Sequence, residues 1–353
     1  MPELPEVETI RRGLHDLIVG KVVANAECLQ SPKSFPNAPA DVSTFLIGAT
    51  VASVQRRAKV LLMELSSGYT LVTHLKMTGQ LVYESTGEVR DKSYEIRKKQ
   101  PVLPTTNKQL RHNELHPEFG DITNTRVHSD TIDPHISYLL SHNSNSAERW
   151  GGGHPSDSFV HELPDNTTRV VLTFSDDSTL FFNDLRKFGW MKLVPTAEVP
   201  YLPFMQKVGP EPLEAAFTGK ILFVRLQRRK NTSIKAAILD QTVLAGVGNI
   251  YADESLWAAK IHPSTQVKYL SLKQIELLAD EVKYVMKLSI EKGGSTDKNY
   301  VDAEGKKGSY LNFANVFRRE GQPCPRCGTT IEKIRVAGRG THICPRCQTV
   351  GSK

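Results

Sequence analysis

Hydrophobic and polar positions follow two different periods along the chain. Apolar residues recur at helical spacing over residues 6–17, which predicts an amphipathic helix. Alternating, β-branched runs follow at residues 51–65 and 69–77, with a Ser-Ser-Gly turn signal between them. The alternation returns at residues 169–194. This pattern predicts a mostly β half, arranged as a sandwich or a barrel.

Residues 84–166 show neither period. They hold seven of the eleven histidines and long polar stretches such as RKKQPVLPTTNKQ. An aperiodic stretch of this length inside a compact domain is usually either functional or disordered. We interpret it as a polar insertion that is disordered or loosely packed.

Helical spacing predominates after the turn-rich residues 208–213. Helices are predicted within residues 233–242, 249–261 and 271–290. The last of them begins with a capping-box pattern and ends at a Gly-Gly pair, which is a typical helix stop.

Two Cys-Pro-Arg-Cys units lie near the end of the sequence, on either side of residues 328–343. This spacing allows one β-hairpin to bring four thiolates around a tetrahedral ion, and zinc suits such a set best. The alternatives are an iron-sulfur centre and two redox dithiols. A closed four-sulfur site would hold the hairpin in shape, and the hairpin tip would present Arg339 between glycines. The four ligands would be Cys324, Cys327, Cys344 and Cys347.

Composition narrows the class of protein only moderately. The 353 residues, with 45 Lys and Arg against 38 Asp and Glu, carry a net charge of +7. The length favours about two or three domains, and the excess of cations is compatible with a nucleic-acid partner. No stretch approaches the roughly 20 apolar residues of a membrane-spanning helix, and the N-terminus is too charged for a signal peptide. We therefore expect an intracellular, cytoplasmic protein.

A glycine turn, Gly246 to Asn249, joins two of the predicted helices. Backbone amides at a helix N-terminus accept phosphates, and glycines allow a phosphate to approach closely. The basic residues 225–230 and Lys235 lie just upstream, so this segment is a candidate for gripping a nucleic-acid backbone. A plain packing unit of two helices is the alternative.

The N-terminus offers a reactive group of its own. Removal of Met1 would leave Pro2 with a free secondary amine, and an α-amino group titrates near 8, so part of it is nucleophilic at neutral pH. Glu3 and Glu6 follow, and they could donate a proton or orient a reacting group. Ordinary helix-capping chemistry is the alternative for both acids.

Three separated motifs resemble one family. MPELPEVETIRRGL, GVGNIYADESLWAAKIHP and the four-cysteine finger with GRGTH are similar to the formamidopyrimidine-DNA glycosylase family (Fpg or MutM). The resemblance covers nearly the whole chain apart from residues 84–166. Leu4 stands where the related endonuclease VIII branch usually has Gly, which favours the Fpg branch.

The resemblance implies an α+β multidomain fold. Its parts would be an N-terminal β-sandwich over residues 2–207, a helix-two-turn-helix domain over 208–316 and a zinc finger over 317–350. It also implies base-excision repair of oxidised purines, 8-oxoguanine and formamidopyrimidines, in damaged double-stranded DNA. The enzyme would be a monomer at the nucleoid, with one structural zinc ion and no redox or nucleotide cofactor.

The resemblance assigns five catalytic positions. Pro2 corresponds to the Schiff-base nucleophile, and Glu3 to the acid that protonates the deoxyribose ring oxygen, with Glu6 nearby. Lys59 corresponds to a proton donor in β-elimination. Arg339 corresponds to the finger arginine that binds phosphates around the lesion and serves δ-elimination.

Further positions correspond to DNA contacts. Met77, Arg186 and Phe188 match the trio that fills the gap left by an everted base, and such a gap needs flexible, aromatic and hydrogen-bonding groups. Ordinary core packing is the alternative for Met77 and Phe188. The backbone-gripping residues would be Lys230, Lys235 and Asn249.

The chain departs from the family pattern near the insertion. The family usually has a DNA-contacting histidine where this chain has Thr167, and His161 is a candidate substitute. The segment from Gly293 to Tyr310 resembles the loop that closes over the extruded base. Two other functions stay open: a non-catalytic DNA-binding protein, and a glycosylase for oxidised pyrimidines.

Overall fold

The computed structural model describes residues 2–29, 31–86, 149–154, 161–295 and 310–349. Seven α-helices lie in these ranges: α1 Leu4–Ile18, α2 Pro39–Phe45, α3 Pro203–Lys207, α4 Gly219–Leu226, α5 Ile234–Leu239, α6 Asn249–Ala258 and α7 Leu272–Glu291. They also contain eleven strands: β1 Val23–Cys28, β2 Val51–Arg57, β3 Val60–Leu65, β4 Tyr69–His74, β5 Gly79–Glu84, β6 Arg149–Gly153, β7 Thr168–Phe174, β8 Thr179–Asp184, β9 Trp190–Pro195, β10 Glu332–Val336 and β11 Arg339–Ile343.

Two antiparallel sheets form a sandwich in the N-terminal half. One sheet has the strand order β1-β7-β8-β5-β6, and the other has the order β2-β3-β4-β9. The alternating apolar positions of both sheets meet in one core, for example Leu61 and Leu71 of one sheet with Leu81 and Phe182 of the other. The predicted α+β fold with an N-terminal β-sandwich is confirmed.

The run at residues 51–65 contains a turn that its sequence does not signal. The structure divides it into β2 and β3, with Ala58 in the left-handed region at φ 52°. The two carboxylate oxygens of Glu211 bind this turn: Oε1 accepts the Ala58 amide, and both oxygens accept the Arg56 guanidinium. Tertiary contacts therefore form a turn that places Lys59 at the end of the hairpin.

Helix α1 connects the sandwich to the helical half. Its buried stripe, from Val7 to Ile18, packs into the sandwich core. Leu4, at the start of the same helix, packs instead into the core of the helical region. The N-terminal turn of α1 therefore lies at the junction of the two cores.

Part of the predicted insertion is regular structure. Strand β6 pairs with β5, from Glu84 opposite Arg149 to Gln80 opposite Gly153. Trp150 of this strand is buried against α1, where a Cβ added at Gly13 would lie 2.2 Å from its indole ring. The expectation of an entirely aperiodic insertion is therefore wrong for residues 149–153. Residues 87–148 and 155–160 of the insertion lie outside the described residues.

The helical half is built on α4 to α7. Thr218, Ser233 and Ser271 cap α4, α5 and α7, each accepting a backbone N–H from the first turn. The predicted capping box of Ser271 and Gln274 is present, and α7 stops before Gly293, whose φ is 75°. Within the described ranges, no helix is both long and apolar enough to cross a membrane.

The finger is a single hairpin of β10 and β11. Val336 pairs with Arg339 across the two-residue turn Ala337-Gly338, and both turn residues have positive φ, as a tight hairpin requires. Trp257 of α6 packs against the cysteine end of this hairpin. The finger is thus attached to the helical half.

We expect Gly13→Ala to destabilise the protein by about 1–3 kcal/mol, because the new methyl group overpacks against Trp150. The free energy of unfolding, measured by denaturant titration, tests this. In a Trp150→Ala background the clash is absent, so the same substitution should stabilise α1 by about 1 kcal/mol through helix propensity. Stabilisation of the otherwise unchanged chain by Gly13→Ala would contradict the packing of β6 on α1.

Candidate active site at the junction of helix α1 and the glycine turn

The first residues of α1 lie directly against the predicted glycine turn. The Leu4 amide donates to the Gly246 carbonyl over 3.1 Å, and Pro2 and Glu3 are buried beside it. The chain start is therefore held against the N-terminus of α6. This contact positions every acidic group of the candidate site.

The two glycines of the turn are required by α1 itself. Gly246 has a φ of 79°, and a Cβ there would lie 2.4 Å from the Leu4 side chain. A Cβ on Gly248 would lie 2.1 Å from Cδ of Glu3. The start of α1 occupies the Cβ side of both glycines, and phosphate binding by the turn amides stays a prediction.

Glu3 is a buried acid at a helix N-terminus. Its side chain belongs to a residue that is 4% exposed, and its Oε1 accepts the Ile250 amide of α6 over 3.3 Å. Burial raises the pKa of Glu3 to about 7, although the nearby charge of Lys59 acts in the opposite direction. Glu3 is thus poised to hold or release a proton near neutral pH.

Glu6 accepts hydrogen bonds from three directions. Its Oε2 accepts the Glu3 amide over 2.8 Å, and its Oε1 accepts the Ser295 amide and hydroxyl over 2.8 and 2.7 Å. Its Oε1 also accepts the Tyr251 hydroxyl. Burial raises the pKa of Tyr251 well above its usual value, so the phenol stays a donor. Glu6 therefore joins α1, α6 and the segment after α7.

Lys59 lies at the same junction. Only 7% of the residue is exposed, and its Nζ donates to the Val247 carbonyl over 3.1 Å. Burial lowers the pKa of Lys59, while the charges of Glu3 and Glu6 oppose that shift. A lysine with a lowered pKa exchanges protons more readily near neutral pH.

His74, at the end of β4, is held neutral. Its Nδ1 accepts the Lys76 amide over 3.0 Å. Burial lowers the pKa of His74 to about 3, and the charges of Lys76 and Lys59 add to the shift. At physiological pH the ring adds no positive charge beside Lys59.

Met77, Arg186 and Phe188 are exposed on two adjacent loops of the sandwich. Met77 is 42% exposed and Phe188 is 56% exposed, which excludes the alternative that they are core residues. The Arg186 guanidinium lies 5.1 Å from the centroid of the Phe188 ring. Exposed apolar groups beside a cation are suited to contact stacked bases.

Asp184 binds both of these loops on their buried side. It is fully buried, and its Oδ1 accepts the Thr78 hydroxyl and the Arg186 amide. Its Oδ2 accepts the Gly189 amide over 2.6 Å. One carboxylate thus orders the backbone on either side of the exposed residues.

The finger places Arg339 near the same junction. Arg339 is exposed at the hairpin tip, and its charge acts on the pKa values of both Lys59 and Lys235. The side-chain amide of Asn249 donates to the Gly340 carbonyl over 3.1 Å. Lys230 is exposed, and it precedes Ser233, the N-cap of α5.

Lys235 is not part of an exposed row of cations, contrary to the sequence-based expectation. The residue is fully buried, and its Nζ donates to Asp253, Thr341 and Gly340. Its apolar neighbours on α5 draw this face into the core, and Asp253 supplies the compensating charge. A DNA contact by Lys235 stays a prediction.

The four predicted cysteine ligands converge. Their sulfurs lie within 4.8 Å of one another, with pairs at 3.4, 3.5 and 4.0 Å. A zinc tetrahedron with bonds of about 2.3 Å has edges of about 3.8 Å. The set fits one structural zinc ion, whose bonds would close the finger.

Thr167 and His161 make local contacts beside the insertion. The Thr167 amide and hydroxyl both donate to Asp165 Oδ1 over 2.7 Å, so the Asp165 side chain caps a local turn at Thr167. His161 is exposed, and its carbonyl accepts the Arg149 guanidinium. The substitution of His161 for a phosphate contact stays a prediction. Residues 296–309 of the predicted closing loop lie outside the described residues.

Sequence reasoning missed several residues of this site. Tyr251 lies in the motif of the glycine turn and His74 in the strand-like run 69–77, but nothing in their spacing marks a buried hydroxyl or a neutral ring. Asp184 and Glu211 carry a weak signal, since each precedes or follows a Gly- or Pro-containing turn. Their roles come from contacts between segments far apart in sequence.

Three family profiles match the chain. The profile described as "Formamidopyrimidine-DNA glycosylase N-terminal domain" matches residues 1–128. "Formamidopyrimidine-DNA glycosylase H2TH domain" matches residues 208–300, and "Zinc finger found in FPG and IleRS" matches residues 321–350.

Relatives and solved structures agree with these matches. Formamidopyrimidine-DNA glycosylase of Ligilactobacillus salivarius is 34% identical, with 100% of both chains covered. That of Geobacillus kaustophilus is 36% identical, covering 99% of this chain and 100% of the relative. The structure of Lactococcus lactis Fpg with DNA containing an abasic site has a TM-score of 0.71 and 29% identity, covering 98% of this chain and 99% of that one. The chain belongs to the formamidopyrimidine-DNA glycosylase family.

Proposed function

We propose that this protein is a bifunctional DNA glycosylase and abasic-site lyase of base-excision repair. It removes oxidised purines, 8-oxoguanine and formamidopyrimidines, from duplex DNA. The observation that carries the proposal is the burial of Pro2 and Glu3 together at the junction, with Lys59 beside them. Family membership supports the same activity.

Pro2 is the nucleophile once Met1 has been removed. Its nitrogen lone pair attacks C1′ of the damaged nucleotide, and the bond from C1′ to the base breaks with its electrons going to the base, which also takes up the proton that the Pro2 nitrogen loses. Glu3, in its protonated form, gives its proton to the ring oxygen O4′ as the C1′–O4′ bond opens. The product is an iminium ion between Pro2 and the open sugar.

The iminium ion explains why strand cleavage follows at the same site. It withdraws electrons from C2′, so a base removes the C2′ proton and the 3′ phosphate leaves in β-elimination. Lys59 exchanges a proton in this step, a role supported by its burial at the junction and its lowered pKa. A second elimination releases the 5′ phosphate, and Arg339 supports it by binding the phosphates with its exposed guanidinium.

Flipping of the damaged nucleotide uses the exposed loops above Asp184. An everted base leaves an unstacked gap in the duplex, and refilling that gap offsets part of the unstacking cost. Met77 and Phe188 enter the gap, and Arg186 faces the orphaned base. Lys230 and Asn249 bind the DNA backbone.

The chain is divided into three domains. Residues 2–207 form the catalytic β-sandwich domain, 208–316 the helix-two-turn-helix domain and 317–350 the finger. The enzyme works as a monomer, and it works where its substrate is, on the chromosomal DNA of the nucleoid.

Borohydride trapping tests the proposed function. Reduction should cross-link the protein to a duplex with 8-oxoguanine opposite cytosine, and not to the undamaged duplex, because only a covalent imine is fixed by the reductant. Mass spectrometry of the peptide should place the adduct on Pro2, with Met1 absent. Tight binding of the lesion without an adduct would favour a non-catalytic DNA-binding protein. Faster turnover of thymine-glycol duplexes would favour oxidised pyrimidines.

Base excision should show a bell-shaped dependence on pH. The active form needs an unprotonated Pro2 amine and a protonated Glu3, and the amine pKa near 8 lies above the Glu3 pKa of about 7. The rate should therefore rise up to about pH 7 as the amine loses its proton and fall above about pH 8 as Glu3 loses its own. Single-turnover excision rates across about pH 5.5 to 9.5 measure both limbs. Glu3→Gln should lower the rate about 10²- to 10⁴-fold and abolish the alkaline limb. A flat profile in the unchanged enzyme would contradict these roles.

Arg186→Ala should weaken discrimination of the base opposite the lesion. A bidentate contact to a base edge is worth about 1–3 kcal/mol, so the preference for cytosine should fall about 10- to 100-fold. Excision rates with each of the four opposite bases measure it. Lys187→Ala is the matched control, because Lys187 is an adjacent exposed cation outside the proposed contact. Equal effects of the two substitutions would indicate a general loss of charge.

A further inference from the structure

The ammonium group of Lys235 has no N–H left for a ligand. Its Nζ lies 2.6 Å from Asp253 Oδ1, 2.7 Å from Thr341 Oγ1 and 3.1 Å from the Gly340 carbonyl. A lysine ammonium has three donors, so these contacts use all of them. Lys235 and Asp253 are both 0% exposed. The pair therefore links α5 and α6 to the finger from inside the protein.

The second oxygen of Asp253 binds the same finger strand. Its Oδ2 accepts the His342 amide over 3.0 Å and lies 3.2 Å from His342 Nδ1. Asn249, at the first turn of α6, adds the bond from its side-chain amide to the Gly340 carbonyl. Three consecutive residues of β11, from Gly340 to His342, are thus attached to the helical half.

The attached residues directly follow Arg339. Arg339 is the first residue of β11, and a two-residue turn separates it from Val336 of β10. A Cβ on Gly338 would meet nothing within 4 Å, and one on Gly340 would meet only the Lys333 side chain. Packing at the tip itself therefore does little to fix Arg339. Its location depends on the anchored residues immediately after it.

We infer that Lys235 and Asp253 are positioning residues that hold Arg339 over the reacting sugar. This inference rests on the proposed function, in which Arg339 binds the phosphates and supports δ-elimination. Lys235 acts through the finger backbone and does not itself neutralise a DNA phosphate. Since Lys235 and Asp253 together carry no net charge, the pair does not attract DNA phosphates. It contributes to catalysis by fixing the location of Arg339.

Lys235 could act by holding β11 or by binding a DNA phosphate. The substitution Asp253→Asn distinguishes these two roles, because they predict opposite changes in DNA affinity. The amide nitrogen of Asn cannot accept the His342 N–H, so β11 loses one of its anchors while the side-chain shape is kept. We expect β-elimination products to accumulate and the rate of δ-elimination to fall about 10- to 100-fold, as for a group displaced by about 1 Å. DNA affinity should fall, although a negative charge has been removed.

The opposite result would overturn the inference. If Asp253 only keeps Lys235 away from DNA, Asp253→Asn should free the lysine to bind a phosphate. Affinity would then rise, and the plot of log K against log salt would steepen by about 0.9. The ratio of β to δ products would stay as in the unchanged enzyme.

Matched variants keep the test decisive. Lys230→Met removes an exposed cation of the proposed backbone contact and should flatten the salt plot by about 0.9, which calibrates the salt measurement. In an Arg339→Ala background, Asp253→Asn should have no further effect on δ-elimination, because the group that it positions is gone. An additional loss in that background would contradict the inference.

A buried lysine left without its partner could unfold the chain, so the pair is also replaced as a unit. Lys235→Met with Asp253→Leu removes both charges, a change that buried ion pairs often tolerate. Zinc content and thermal unfolding report that the finger is intact, and the loss of δ-elimination should match that of Asp253→Asn. An unchanged product ratio in this folded double variant would overturn the inference. Absence of strand cleavage by the unchanged enzyme would instead reject the proposed function, and the salt plots would still test the anchor.

Discussion

The fit of the start of α1 against the Gly246–Asn249 turn is the constraint on which the rest of the site depends. The Leu4 amide bonds to the Gly246 carbonyl, and Glu3 fills the space that a Cβ on Gly248 would occupy. Leu4 is simultaneously part of the helical core, while the rest of α1 packs on the sandwich. The chain start is thereby fixed relative to both halves. A terminal amine is useful as a nucleophile only when it is held in this way, because free termini are usually poorly ordered.

The same fit determines the protonation of the groups around it. Exclusion of water raises the pKa of Glu3 to about 7 and lowers the pKa of Lys59. Their mutual attraction limits both shifts, and Glu3 can change its protonation state near neutral pH. Glu6, by contrast, accepts hydrogen bonds from three kinds of donor. Two acids three residues apart therefore have different environments and suit different tasks.

The sequence predicted those parts of the molecule that are encoded locally. The period of α1, the Ser271 cap of α7 and the spacing of the cysteine pairs each depend on neighbouring residues, and each agrees with the structure. The turn at Ala58 and the strand containing Trp150 were not predicted, because contacts with Glu211 and Gly13 stabilise them from distant segments. The roles of Pro2, Met77 and Arg339 could be proposed only through the family resemblance, since an isolated proline, methionine or arginine carries no such signal.

The same interaction recurs where separate segments of the chain meet: a buried carboxylate accepts backbone N–H groups of a loop. Glu211 accepts the Ala58 amide below Lys59, and Asp184 accepts two amides below Arg186 and Phe188. Glu254 of α6 accepts the amides of residues 315, 316 and 317, where the chain leaves the helical half for the finger. Charge-assisted bonds to backbone are stronger and more directional than apolar contacts, so they fix a loop without covering its exposed side chains. A protein that must present exposed groups to a large polyanion gains from this arrangement, because its loops can be ordered from within while their outer surface stays free. Acidic residues at such positions resemble ordinary surface charges in a sequence, and only the fold distinguishes them.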